Sequence, residues 1–144
     1  MKIGTSRESL LKPLQAVIGV VERRQTMPVL ANVLLVAKKG VLSVTATDLE
    51  VELVASATVD SIEVAGEITV PGRKLLDICR ALPEGATVKL TLKGDRLTIQ
   101  SGRSKFVLAT LPAAEFPVIE NIDATRSLTV SQEQLALLLN KTQF

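Results

Sequence analysis

The sequence predicts an α+β domain in which antiparallel strands outnumber helices, and three observations lead there. Strand signals broken by short turns run from Val29 to Ala57 and again from Val88 to Thr110. Apolar residues recur at helical spacing most clearly in "SRESLLKPLQAVIG" and "PGRKLLDICRALPEG". Three Phe with no Trp or Tyr leave a core of Leu, Val, Ile and Ala, whose branched side chains suit strands and helix stripes. With 144 residues, 47% hydrophobic and 22% charged, the chain is long enough for one real core, so one domain is the default.

In chain order, the first helix is expected to start behind Ser6 or Thr5, since Thr5 and Glu8 have capping-box spacing. Leu10, Leu11, Leu14, Val17 and Ile18 form its apolar stripe, while Pro13 must bend it or cost a hydrogen bond unless the helix begins near residue 10. The segments "VLANVLLVA", "VLSVTAT" and "LEVELVASA" then read as a strand meander with turns at Lys38-Lys39-Gly40 and at Asp48. A second meander alternates Val88, Leu90 and Leu92 with polar residues, turns at Gly94-Asp95, continues through Leu97 and Ile99, and returns in "KFVLAT". Pro112 and Pro117 make "LPAAEFPVIENIDA" an expected extended linker.

The helix over 72–82 stops at Pro83 and Gly85 and sorts into three faces. Leu75, Leu76 and Cys79 face the core; Arg73, Asp77 and Arg80 make a mainly basic outward stripe; Lys74, Ile78 and Leu82 make a third, mixed stripe. Apolar residues on that third stripe mean either a wide core or a contact with another protein. Sliding the tail back by 125 positions lays "LTVSQEQLALLL" over "IGTSRESLLKPL", with Ser131 on Ser6 and Glu133 on Glu8. A repeat one domain length apart suggests tandem domains, with the second interrupted after its first helix.

Catalytic chemistry is sparse. There is no His, no Walker sequence, no nucleophile elbow and no zinc pattern, so neither a catalytic residue nor a metal or other cofactor is expected. Asp48, Glu50 and Glu52 would share one face of a strand and could coordinate a cation for phosphodiester hydrolysis; the competing view is the solvated face of an amphipathic strand. A single cysteine excludes an intrachain disulfide, which fits a reducing, cytoplasmic compartment. The N-terminus lacks the apolar core of a signal peptide, and no run is apolar enough for a membrane span. The net charge of +2 names no partner by itself, yet Arg7, Lys12, Arg23 and Arg24 outnumber Glu8 and Glu22 around the first helix. They make either a solvated face or a phosphate contact indifferent to sequence. Three Phe cannot supply the stacking platforms of a single-strand binder.

Taken together, "SLLKPLQAV", "RQTMPVLANVLL", "TATDLEVELVA", "VPGRKLLDICRALPEGA" and "SGRSKFVLATLPAAEFP" resemble, in order and spacing, the first domain of the bacterial β sliding clamp family, the processivity subunit of DNA polymerase III. The resemblance implies a DNA-clamp fold with two helices packed against two antiparallel four-stranded sheets. It places a first domain at 1–122 and the linker and beginning of a second at 123–144. It further implies a head-to-tail dimeric ring through which duplex DNA passes, with no reaction catalysed, and a polymerase and clamp loader that dock on domains beyond this chain. By position, Arg24 and Arg73 match family residues that approach DNA, and Arg7, Lys12 and Arg80 are additions from the helix faces. Lys74, Ile78, Leu82, Phe106 and Leu108 map onto the subunit junction, with Arg96, Arg103 and Lys105 as charge partners. Lys105 stands where the family often has Arg, and a lysine cannot form the bidentate carboxylate pair.

Overall fold

The computed structural model of the chain describes residues 1–21, 27–118 and 125–143. Its elements run β1 (Lys2–Ser6), α1 (Arg7–Val17), β2 (Asn32–Lys38), β3 (Val41–Thr47), β4 (Glu52–Thr58), β5 (Ser61–Val64), β6 (Gly66–Pro71), α2 (Gly72–Ala81), β7 (Thr87–Lys93), β8 (Arg96–Ser101), β9 (Ser104–Ala109) and α3 (Gln132–Thr142). Two antiparallel sheets result, one ordered β5-β1-β7-β8-β9 and the other β4-β3-β2-β6. The α+β class and the two sheets agree with expectation, but the first sheet has five strands rather than four. The extra strand is β5, which pairs with β1 through Ile62 opposite Ile3. Its Glu63 bridges Lys2 on β1 and Lys89 on β7, so one carboxylate clips three strands together. The partnership with Lys2 holds the Glu63 carboxyl below its usual range and raises the Lys2 ammonium above its own.

The hairpin between β2 and β3 turns at Lys39 and Gly40 with φ of 52° and 77°, the left-handed pair that a two-residue turn matched to strand twist requires. Val29–Ala31, expected as strand, form a 3-10 turn over Pro28–Ala31. There Val29 and Leu30 join Leu34 and Phe116 in a small cluster separate from the main core. The expected linker is likewise docked at its start. Leu111 pairs with Thr69 of β6, residues 113–115 make another 3-10 turn, and Phe116 is buried. Burial of that ring outweighs the extended preference of its proline-flanked neighbours.

Ser6, not Thr5, caps α1. The Ser6 hydroxyl accepts the Ser9 N–H at 3.1 Å, while Thr5 remains in β1 with its side chain buried. The helix runs through Pro13 rather than starting after it. Pro13 cannot donate to the Ser9 carbonyl, but its ring is buried with Leu10, Leu14 and Val17, and that packing keeps the helix in place. α1 lies over β4 and β3, α2 over β2 and β6, and the two helices pack against each other. Ile3, Val88, Leu90, Leu97 and Ile99 from one sheet and Val33, Leu35, Leu42, Val44 and Val70 from the other meet both helices in a single core. Among the described residues, no helix is long and apolar enough to cross a membrane.

Candidate functional site

Of the predicted cationic residues, three are exposed on the two paired helices and a fourth ties those helices together. Lys12 on α1 and Arg73 and Arg80 on α2 are exposed. Arg7 is mostly covered, because its guanidinium is used inside the domain. Its Nε donates to the Cys79 carbonyl at 2.8 Å, Nη2 to the Arg80 carbonyl at 3.5 Å, and Nη1 pairs with Glu8 at 3.1 Å. A helix leaves its last carbonyls without partners, and a cation there complements the helix dipole. Arg7 therefore ends α2, fastening it to the start of α1 and holding Arg80 in position. Glu8 completes the clasp: the Gly85 N–H donates to its Oε1 at 3.1 Å and, with Arg7, holds the carboxyl below its usual range.

Arg73 has both an exposed position and an internal bond. Its Nε and Nη2 donate to the Val21 carbonyl, which draws the chain leaving the first helical region onto the first turn of α2. Arg24 lies outside the described residues, three positions after this anchor. No local signal revealed the Arg7 and Arg73 bonds, which span 72 and 52 residues of sequence.

The three carboxylates considered for metal chemistry do not form a strand face. Asp48 closes the turn between β3 and β4, its Oδ1 accepting the N–H groups of Glu50 at 3.0 Å and Val51 at 2.7 Å. Leu49 sits at φ 79° within that turn, its N–H bonded to the Thr47 hydroxyl, and only Glu52 belongs to β4. An Asp side chain that binds its own backbone two and three residues on makes a turn, and a turn breaks the two-residue alternation on which a shared face depends. Cys79 is buried in the core stripe, and burial pushes its thiol up to about 12, far from a reactive thiolate.

The residues mapped to a junction fall along α2 and β9. Lys74, Arg96, Arg103 and Lys105 are exposed, with Arg96 3.8 Å from Asp95. Ile78 and Phe106 are half-buried against the main core, whereas Leu82 and Leu108 are 6% and 8% exposed. The third stripe of α2 thus serves a wide core at Leu82 and reaches the surface at Ile78 and Lys74. Leu82 and Arg103 also line one open groove of about 550 Å³ between the end of α2 and the β8–β9 hairpin. Phe106 stands opposite Ile99, and Leu108 opposite Leu97, on the core face of β9, a strand at the edge of its sheet.

Residues 1–120 match the family described as the DNA polymerase III beta subunit, N-terminal domain. A beta sliding clamp of Vibrio harveyi is 50% identical over 144 residues, the whole of this chain and 99% of that relative. The beta sliding clamp of Pseudomonas aeruginosa is 48% identical over the whole of this chain but only 39% of its own length. In structure, the chain is similar to the DNA polymerase III subunit beta of Pseudomonas aeruginosa, with a TM-score of 0.93 and 46% identity over 99% of this chain and 38% of that one. It is equally similar to the DNA polymerase sliding clamp of Caulobacter crescentus, with a TM-score of 0.93 and 44% identity over 99% of this chain and 39% of that one.

Proposed function

The chain belongs to the DNA polymerase III beta subunit family, and we propose that it acts as part of a DNA polymerase processivity factor, a ring that encircles duplex DNA without catalysing a reaction. The observation that carries this reading is the cationic helix layer: α1 and α2 lie side by side and present Lys12, Arg73 and Arg80 to solvent. Lysine and arginine meet phosphates without reading bases, which suits a partner that must pass any sequence. Arg24 joins these contacts, and Arg7 supports them by positioning the end of α2. Residues 1–122 form the first domain, and 123–144 lead into a second that α3 begins.

The ring closes head to tail on a second subunit. Lys74 and the half-buried Ile78 and Phe106 form this domain's half of that junction, with Leu82 and Leu108 beneath them, and the exposed Arg96, Arg103 and Lys105 supply its positive rim. A replicative polymerase and a clamp loader bind elsewhere on the complete subunit, in the cytoplasm. Closure rather than affinity retains such a ring, and the two are separable in one experiment on the complete protein. After loading onto circular and linearised DNA, wild type stays on circles and slides from linear ends. The Ile78→Asp, Phe106→Asp double variant loses circular retention, because a charge buried against an apolar partner opens the junction. Arg24→Ala with Arg73→Ala keeps retention but lowers the salt slope of the residual contact by about one per phosphate lost. Circular retention by the first pair would remove the junction, and an unchanged salt slope in the second would remove the DNA contacts.

A further inference from the structure

Past the end of β9 at Ala109, the chain is fastened at three successive points. The Thr110 N–H donates to the Asp95 carbonyl at 2.9 Å, tying the departing chain to the turn between β7 and β8. Leu111 then exchanges two backbone hydrogen bonds with Thr69 of β6, at 3.1 and 3.2 Å. The Thr69 hydroxyl donates to the Leu111 carbonyl at 3.0 Å and accepts the Asn32 side-chain N–H at 2.9 Å, and Asn32 and Thr69 are both buried. Last, Phe116 fills the cluster of Val29, Leu30 and Leu34. Leu34 alternates with Val33 and Leu35 of the main core, so this cluster lies on the opposite face of the four-stranded sheet. Residues 110–116 thus form a strap that leaves the five-stranded sheet and fastens to the outside of the other.

The fastening is separable from the core. The cluster under Phe116 shares no buried residue with the main core, and Pro112, Ala114 and Glu115 of the strap are exposed. An open groove of about 530 Å³, lined by Met27, Pro28, Val29, Leu111 and Glu115, runs beside the strap. At its foot the Thr110 hydroxyl is buried with no hydrogen-bond partner among the described residues, a cost that opening relieves. A segment held by one large side chain and a few hydrogen bonds opens well below the free energy of global unfolding. Pro112 and Pro117 restrict its backbone, so it opens as a unit.

We infer that the strap is a latch with Phe116 as its catch: closed, it fixes the direction in which the chain leaves for the second domain, and it opens without disturbing the main core. Its consequence for function rests on the ring reading above. Closing a ring from rigidly joined parts forfeits less freedom than closing it from loosely joined ones. A closed latch therefore favours a closed ring, and Phe116 is a positioning residue for closure although it belongs to neither the DNA contacts nor the junction.

The test has two arms. Amide exchange of the 144-residue chain reads the latch itself, because the Leu111 and Thr69 N–H groups bond to each other's carbonyls only while the strap is closed. In wild type these amides are expected to be at least about tenfold less protected than those of the central strands β3 and β7, and to respond little to low denaturant. Phe116→Ala lowers their protection by about a hundredfold or more while β3 and β7 still exchange slowly, which shows that the variant is folded. Phe116→Leu refills most of the cluster and limits the loss to about tenfold. The second arm puts the same variants in the complete protein on circular DNA, where Phe116→Ala shortens residence by about tenfold or more, Phe116→Leu changes it little, and neither alters the salt slope of the DNA contact. Leu111 and Thr69 amides that exchange only together with β3 and β7 would overturn the latch, and a Phe116→Ala ring as long-lived as wild type would overturn its role in closure. Wild type that fails to stay on circles would sink the ring reading instead, and the exchange arm, which contains no DNA and no further domain, judges the latch in either case.

Discussion

α1 and α3 have the same length, begin behind serines 125 residues apart, and have opposite fates. Ser6 accepts the Ser9 N–H at 3.1 Å and Ser131 the Gln134 N–H at 3.2 Å, so the caps match in geometry. Ser131 goes further, because the Gln134 side chain returns a bond to its backbone and completes a capping box that α1 lacks. Yet Leu10 and Leu14 of α1 are fully buried, while Leu135, Leu137, Leu138 and Leu139 of α3 are 47–59% exposed. The better-capped helix is the unsupported one. Local signals decide where a helix starts, and the burial of its apolar face decides most of its stability.

The largest effect expected from this comparison comes from equal truncations in the two helices. Leu14→Ala removes side-chain volume from a filled core and should cost about 2–5 kcal/mol in denaturant unfolding. Leu138→Ala removes the same atoms from a side chain that is 59% exposed and should change global stability by no more than about 0.5 kcal/mol. Comparable losses at both sites would mean that α3 is packed in solution and that the contrast drawn above is false.

The same contrast shows which features were legible beforehand. The repeat offset was readable because a capping serine and an apolar stripe are local patterns, and α3 reproduces α1 at that offset. The turns at Lys39-Gly40 and Gly94-Asp95, and the core face of α2 at Leu75, Leu76 and Cys79, were readable for the same reason. β5 was missed because its four residues carry too little alternation to register and are held by Glu63, through partners on β1 and β7. Phe116 was hidden inside a proline-flanked stretch whose local preference says linker. At the candidate site, the residue types were visible, but not their orientation. Arg7 and Arg73 look like free cations in the sequence, and only folding brings the carbonyls of Cys79 and Val21 beneath them.

Smaller effects should come from the caps. Ser6→Ala leaves the Ser9 N–H without its acceptor in a helix that belongs to the global fold, and should cost about 1 kcal/mol in unfolding. Ser131→Ala should leave the global transition unmoved and instead lower the helicity of 132–142, seen as faster amide exchange in that segment alone. Even in wild type, amides of 131–143 should exchange far faster than those of 72–82. Slow exchange in α3 that Ser131→Ala does not change would show that packing, and not its cap, sustains it.

The smallest effect separates the two first turns by what they bind. Glu8 and Glu133 occupy the same place after their serines, but Glu8 accepts the Gly85 N–H and joins α1 to the loop following α2. Its carboxyl is held below the usual range, first by that N–H and then with help from Arg7. A depressed folded pKa contributes stability that is fully present above the unfolded value, about 4.3 for glutamate, and is lost as pH falls through the lower folded value. On acidification, the Gly85 amide resonance should therefore shift together with the Glu8 carboxyl, with a common midpoint lower than that of an ordinary glutamate. Glu8→Gln should abolish that acid step at Gly85, and Glu133→Gln should leave it untouched. The side chain is exposed, so the global unfolding midpoint should barely move in either variant. A Gly85 amide that ignores the Glu8 titration would show that the clasp between the two helices is not formed in solution, and Arg80 would then lack the support assigned to it.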